Sequence, residues 1–114
     1  MEISTNVVSG TLVLVITGRM DSYHAEELAI ACHDFPGMPV VLDMIHVEYI
    51  NSSALRGLME FNRRLRTQGT RLILVDKSKG FTDKILKITG FDKIIPIVPS
   101  VPEAVHALSS ENGV

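Results

Sequence analysis

Short runs of aliphatic, mostly β-branched residues alternate along this chain with longer stretches whose apolar residues recur every three or four positions. No other feature constrains the fold as strongly. The runs are Leu12, Val13, Leu14, Val15 and Ile16; then Val40, Val41 and Leu42; then residues 71–75, dominated by Leu, Ile and Val. Each is too short for a helix and reads as a buried strand. Strands that alternate with helices imply a mixed sheet whose later members are parallel and joined by right-handed crossovers, with about four helices mainly on one face. The expected class is therefore α/β.

Ile3, Val7 and Val8, followed by Ser9-Gly10, place a first strand before the 12–16 run, with a tight turn between them. Gly18-Arg19-Met20-Asp21-Ser22 reads as the next turn, where Asp21 or Ser22 is expected to cap a helix carrying Ala25, Leu28, Ala29 and Cys32. Phe35-Pro36-Gly37 stops that helix. The strand at Val40 is expected to end at Asp43, and residues 45–50 to form a connection. A long helix then starts at Asn51 or Ser52, with Leu55, Leu58, Met59, Asn62 and Leu65 at helical spacing and Gln68-Gly69 at its exit. Gly80-Phe81 opens a further helix through Ile85, Leu86 and Ile88, closed by Gly90. Residues 94–98 form a strand that Pro96 confines to a sheet edge. Residues 102–108 form a last helix carrying Ala104, Val105 and Leu108. One domain over residues 1–110, with a frayed tail at 111–114, accounts for the chain.

Composition narrows the function classes. Of 114 residues 46% are apolar and 21% charged, as expected of a globular protein. Aromatic residues make up only 5% and Trp is absent, which disfavours surfaces that stack bases or sugars. A formal charge of −2 provides no broad attraction for nucleic acid or anionic membrane. No segment approaches the roughly 18 consecutive apolar residues needed to cross a bilayer, and no targeting signal opens the chain, so a cytoplasmic location is expected. Cys32 has no cysteine partner and reads as a bland, buried thiol.

The residues offer little to an enzyme. The chain has no Gly-rich phosphate loop, no His-Glu-x-x-His helix and no Gly-x-Ser-x-Gly turn. His24, His33, His46 and His106 fall on separate elements without metal-ligand spacing. Asp21, Asp43 and Asp76 lie at or near expected strand ends, so they could gather at the edge where open α/β sheets place their sites, or simply cap helices and solvate loops. No cofactor or metal is expected. Arg63, Arg64, Arg66 and Arg71 form the densest positive stretch, read as a solvated helix face or as a surface for an acidic partner. Phe61 falls off the expected apolar stripe and could belong to such a contact surface.

Asn51-Ser52-Ser53-Ala54-Leu55 is the informative segment. It stands where a connection enters a long helix, so a hydroxyl at Ser52 or Ser53 sits among unpaired amides at the positive end of the helix dipole. Capping is the structural role for such a serine and phosphorylation the regulatory one. The two are compatible. A phosphate would add about −1.5 to −2 charges, tolerated by the helix start yet repelled by an acidic partner.

At this segment the chain resembles the STAS family, the small domains of bacterial anti-sigma factor antagonists and of sulfate transporter tails. Val15-Ile16-Thr17-Gly18-Arg19-Met20-Asp21 is similar to the family's glycine, any residue, aliphatic, aspartate turn. Val40-Val41-Leu42-Asp43 and residues 47–50 resemble the strand and connection before the family signature of aspartate, serine, serine or threonine, glycine, leucine. Residues 86–97 and Glu103-Ala104-Val105 resemble its late helix-to-strand passage and closing helix. Two positions depart from the signature. Asn51 replaces aspartate, keeping the capping geometry while removing a charge beside the acceptor, and Ala54 replaces glycine, adding a methyl group.

The resemblance implies the STAS fold and a partner-switching role without enzymatic activity. In the family an unmodified antagonist binds an anti-sigma factor that is also a serine kinase, phosphorylation of the signature serine ends the binding, and a metal-dependent phosphatase of the PP2C type restores it. Ser52 corresponds to the acceptor and Asp21 to the aspartate beside it. The implied contact surface comprises Asp21, Asn51, Ser52, Ser53, Ala54 and Arg56, the last placed one turn on, where it could pair with a phosphate. A monomer or weak dimer is expected, with neither nucleic acid nor membrane as partner. The alternatives are a non-phosphorylated STAS scaffold, a transporter accessory module, and a small flavodoxin-shaped enzyme or nucleotide-binding protein lacking a phosphate cradle.

Overall fold

Ser9 and Gly10 have φ values of 50° and 75°, the two-residue turn geometry whose twist matches that of the flanking strands. They close an antiparallel hairpin between β1 (Glu2–Val8) and β2 (Thr11–Met20). The computed structural model describes residues 1–77 and 81–112. β3 (Val40–Ile50), β4 (Leu72–Val75) and β5 (Ile97–Val98) complete a five-stranded sheet in the order β1-β2-β3-β4-β5, parallel from β2 onward. The helices are α1 (Ala25–Ala31), α2 (Ser52–Thr67), α3 (Phe81–Ile88) and α4 (Val101–Asn112), with a 3₁₀ turn at Phe91–Lys93.

Because successive strand residues face opposite sides, the sheet supports two cores. Leu12, Leu14, Ile16, Leu42 and Leu74 pack on one side with Leu28, Leu58, Phe61, Leu65 and Leu86, so α1, α2 and α3 cover that face. Val13, Val41, Ile73 and Val75 pack on the other with Ala104, Val105 and Leu108 of α4. The helices therefore lie mainly on one face, as expected.

Several boundaries differ from expectation. β2 does not turn at Gly18 but runs on to Met20, and β3 runs without a break from Val40 to Ile50, so residues 45–50 are strand. The two extensions pair with each other, Gly18 with Val47, Arg19 with Tyr49 and Met20 with Ile50. Register shifts near Val15 and Gly18, where Gly18 holds φ 89°, break the period-two pattern that would have betrayed a strand. Neither Asp21 nor Ser22 caps α1. His24 stands at the cap position without a side-chain cap bond, because residues 21–24 are taken up in the turn from the end of β2.

Phe61 is 1% exposed and belongs to the core, whereas Met59 is 40% exposed and Ile88 84% exposed. β5 has two residues at the sheet edge directly after Pro96, which has no amide to donate to a ladder. Gly80, expected to open α3, lies outside the described residues, as do Gly113 and Val114. α4 continues to Asn112, past the start of the expected frayed tail, since no Gly or Pro interrupts it before Gly113.

Candidate functional site at the paired ends of β2 and β3

Parallel neighbours finish at the same edge of a sheet, and the Met20–Ile50 pairing brings the residues just beyond them, Asp21 and Asn51, side by side. The Asn51 amide N–H donates to the Met20 carbonyl (3.2 Å) and its side-chain Nδ2 donates to the Asp21 carbonyl (3.1 Å). Asn51 Oδ1 accepts from the Ala54 amide (3.0 Å), the N-cap bond of α2. One side chain thus ties the end of β2 to the start of the long helix. An aspartate in its place could accept the cap bond but could not donate to Asp21.

With Asn51 as the cap, Ser52 is released from that task. Ser52 is the first residue of α2, exposed, and its hydroxyl makes no hydrogen bond among the described residues. Ser53 follows, half-buried. Ala54 is 1% exposed and its methyl group packs in the core, so its side chain points inward. Arg56, one turn beyond Ser52, is exposed and has no ion-pair partner among the described residues.

Asp21 is exposed, with its Oδ2 3.5 Å from the Arg19 Nε. The Arg19 guanidinium lies 4.1 Å from the centroid of the Tyr49 ring, a cation–π contact along the outer side of the β2–β3 extension. The three aspartates do not gather. Asp43 pairs in register with Val15, so Asp21 lies six residues further along β2, about 20 Å away at the usual rise per strand residue. Asp43 accepts from the Ile45 amide and Asp76, directly after β4, from the Lys77 amide, both local roles. Among the described residues no group of three or more His, Cys, Asp or Glu is placed to hold a metal ion, and no helix is long and apolar enough to cross a membrane.

The arginine stretch is partly spent on the fold. Arg63 pairs with Glu60, and Arg64 pairs with both Glu60 and Glu26, linking α2 to α1. These bonds, that of Arg63 foremost, hold the Glu60 carboxyl down from its ordinary 4.5 to about 2. Burial pushes the Cys32 thiol up to about 11, which keeps it protonated and unreactive at neutral pH.

Sequence reasoning missed the environment of the site. His24 is 6% exposed, and its Nδ1 lies 3.0 Å from Glu27. Its backbone nitrogen would stand 2.9 Å from a Cβ added at Gly57. Gly57 therefore allows the start of α1 to lie against α2 beside the candidate site. Tyr23, Met59 and Ile94 are exposed near the same end, a cluster drawn from three distant stretches of chain with no local signal in the sequence.

Comparison with known proteins identifies the family and the fold. A model of the STAS domain matches residues 2–104. BtrV of Bordetella bronchiseptica, named as a candidate anti-sigma factor antagonist, is 28% identical over 113 residues, spanning 96% of this chain and 97% of its own length. The crystal structure of an anti-sigma factor antagonist from Mycobacterium paratuberculosis superposes with a TM-score of 0.80 at 22% identity, over 94% of this chain and 92% of that one. The Bacillus cell fate determinant SpoIIAA in its phosphorylated form gives a TM-score of 0.64 at 19% identity, over 93% of this chain and 98% of that one. At these identities the two structures establish a shared fold.

Proposed function

The chain belongs to the STAS domain family, and from that premise we propose that it is an anti-sigma factor antagonist controlled by partner switching. In its unphosphorylated form it binds an anti-sigma factor that is also a serine kinase. Phosphorylation at Ser52 ends the complex, and a PP2C-type phosphatase restores it. The protein is then a substrate and a binding surface, acting in the cytoplasm as a single domain and as a monomer or weak dimer.

One observation carries this reading. Asn51 takes the cap, so the exposed Ser52 hydroxyl has no structural duty where the paired strand ends meet α2. A phosphate there meets the positive end of a helix dipole, the adjacent Ser53 amide, and Arg56 one turn away. The same −1.5 to −2 charges would oppose any acidic surface docked on this end.

The test is intact-mass analysis after incubation with the cognate kinase and ATP. One phosphate on the native chain and none on Ser52→Ala is the expected result; an unmodified native chain sinks the switch and leaves a non-switching STAS module. For binding, Ser52→Asp should weaken the partner complex at least tenfold relative to Ser52→Ala. Equal affinities would count against charge as the off signal.

A further inference from the structure

Tyr23, Met59 and Ile94 are 49%, 40% and 45% exposed and line a single groove of about 700 Å³ beside α2. Arg56, Arg63 and Arg66 line it beside them. Positions 56, 59, 63 and 66 fall on one stripe of α2, next to the stripe that enters the core. They span eleven residues of helix, about 15 Å. Arg56 and Arg66 have no ion-pair partner among the described residues, and Arg63 shares the carboxylate of Glu60 with Arg64. An apolar floor beside this excess of positive charge is complementary to a segment of the opposite composition.

We infer that this groove is a docking surface for an acidic amphipathic segment of the partner protein, about ten residues long if helical, with apolar side chains on Tyr23, Met59 and Ile94 and carboxylates on Arg56 and Arg66. The chemistry selects this occupant over others. A polyanion such as nucleic acid gains nothing from the apolar floor and meets the Glu60 carboxylate in the lining and an overall charge of −2. An anionic lipid surface meets the same Glu60 carboxylate and the same overall charge of −2. The groove begins at Arg56, one turn from Ser52, so it continues the surface proposed above. A phosphate at Ser52 would draw the Arg56 guanidinium away from the groove and remove one of its cations, coupling the switch to the docked segment. The inference rests on the reading of this end as a partner surface.

The experiment separates the two. The full chain is expressed in its native host with photoreactive benzoylphenylalanine at position 59, or in a second strain at position 53, and the crosslinked segment is sequenced. The expected product from position 59 is a protein segment with at least two Asp or Glu flanking apolar residues. Its synthetic peptide should bind the full chain, and at least tenfold more weakly after Arg56→Glu with Arg66→Glu. The milder Arg56→Ala with Arg66→Ala pair should lower affinity several-fold, with circular dichroism confirming that each variant is folded. A crosslink from 59 to lipid, nucleic acid, a basic segment or a second copy of this chain overturns the inference, as does no crosslink or unchanged affinity on charge reversal. If only position 53 crosslinks, the Ser52 surface stands and the groove falls; if neither does, both fall.

Discussion

Gly57 shows how one residue positions the site. Alanine is favoured over glycine inside a helix by about 1 kcal/mol, so propensity alone predicts that Gly57→Ala stabilises α2. A Cβ there would lie 2.9 Å from the backbone nitrogen of His24, and backbone yields less readily than a side-chain tip. Overpacking of this kind typically costs about 1–3 kcal/mol, enough to reverse the gain. Urea denaturation of Gly57→Ala should therefore show a lower midpoint than the native chain, and a higher midpoint would mean that the β2–α1 turn gives way freely. Asn51 is the complementary case. Its capping role is readable from residue type and position, yet its bond to the Asp21 carbonyl, thirty residues away, is not. The residues alone leave Ser52 and Ser53 as candidates, and the resemblance to the family singles out Ser52.

Within α2 the charged half follows a pH rule that can be checked. The Glu60 carboxyl, lowered from 4.5 to about 2 chiefly by its bond to Arg63, stabilises the folded state above its unfolded value and loses that contribution as pH falls toward 2. Glu60→Gln should thus be less stable than the native chain at pH 7, with the difference closing between about pH 4.5 and 2. Raising salt should shrink it, since the pairs are only partly buried and solvent reaches them. Chemical denaturation across that range is the measurement, and a gap that stays constant with pH would disprove the assignment. The helix also shows where periodicity misleads. Its buried stripe is Ala54, Gly57, Leu58, Phe61, Asn62 and Leu65. Asn62 lies on the expected stripe, but Gly57 carries no apolar signal, and so hydrophobicity alone rotates the stripe toward Leu55 and Met59 and leaves Phe61 outside it. The extensions of β2 and β3 were hidden for a related reason, because bulges shift the alternation that identifies a strand.

Across the whole molecule the sheet is covered by α1, α2 and α3 on one side and by α4 on the other. That division makes a distant residue matter to the site. Leu108 is fully buried between α4 and the sheet, and Leu108→Ala should cost about 2–5 kcal/mol through lost burial and the cavity left behind. If the two faces unfold as one cooperative unit, the urea midpoint falls with an unchanged slope. A reduced slope would mean that α4 detaches before the sheet opens. By itself the sequence determined the order of strands and helices, the edge position imposed by Pro96 and the start of α2 at Asn51 or Ser52. Each of these depends on residues within a few positions of one another. Only the tertiary structure decided that Asp21 meets Asn51, that Gly57 admits His24, and that Tyr23, Met59 and Ile94 share one groove. Local periodicity states which side of an element is apolar. Strand register and helix crossing decide which distant residues that side will face.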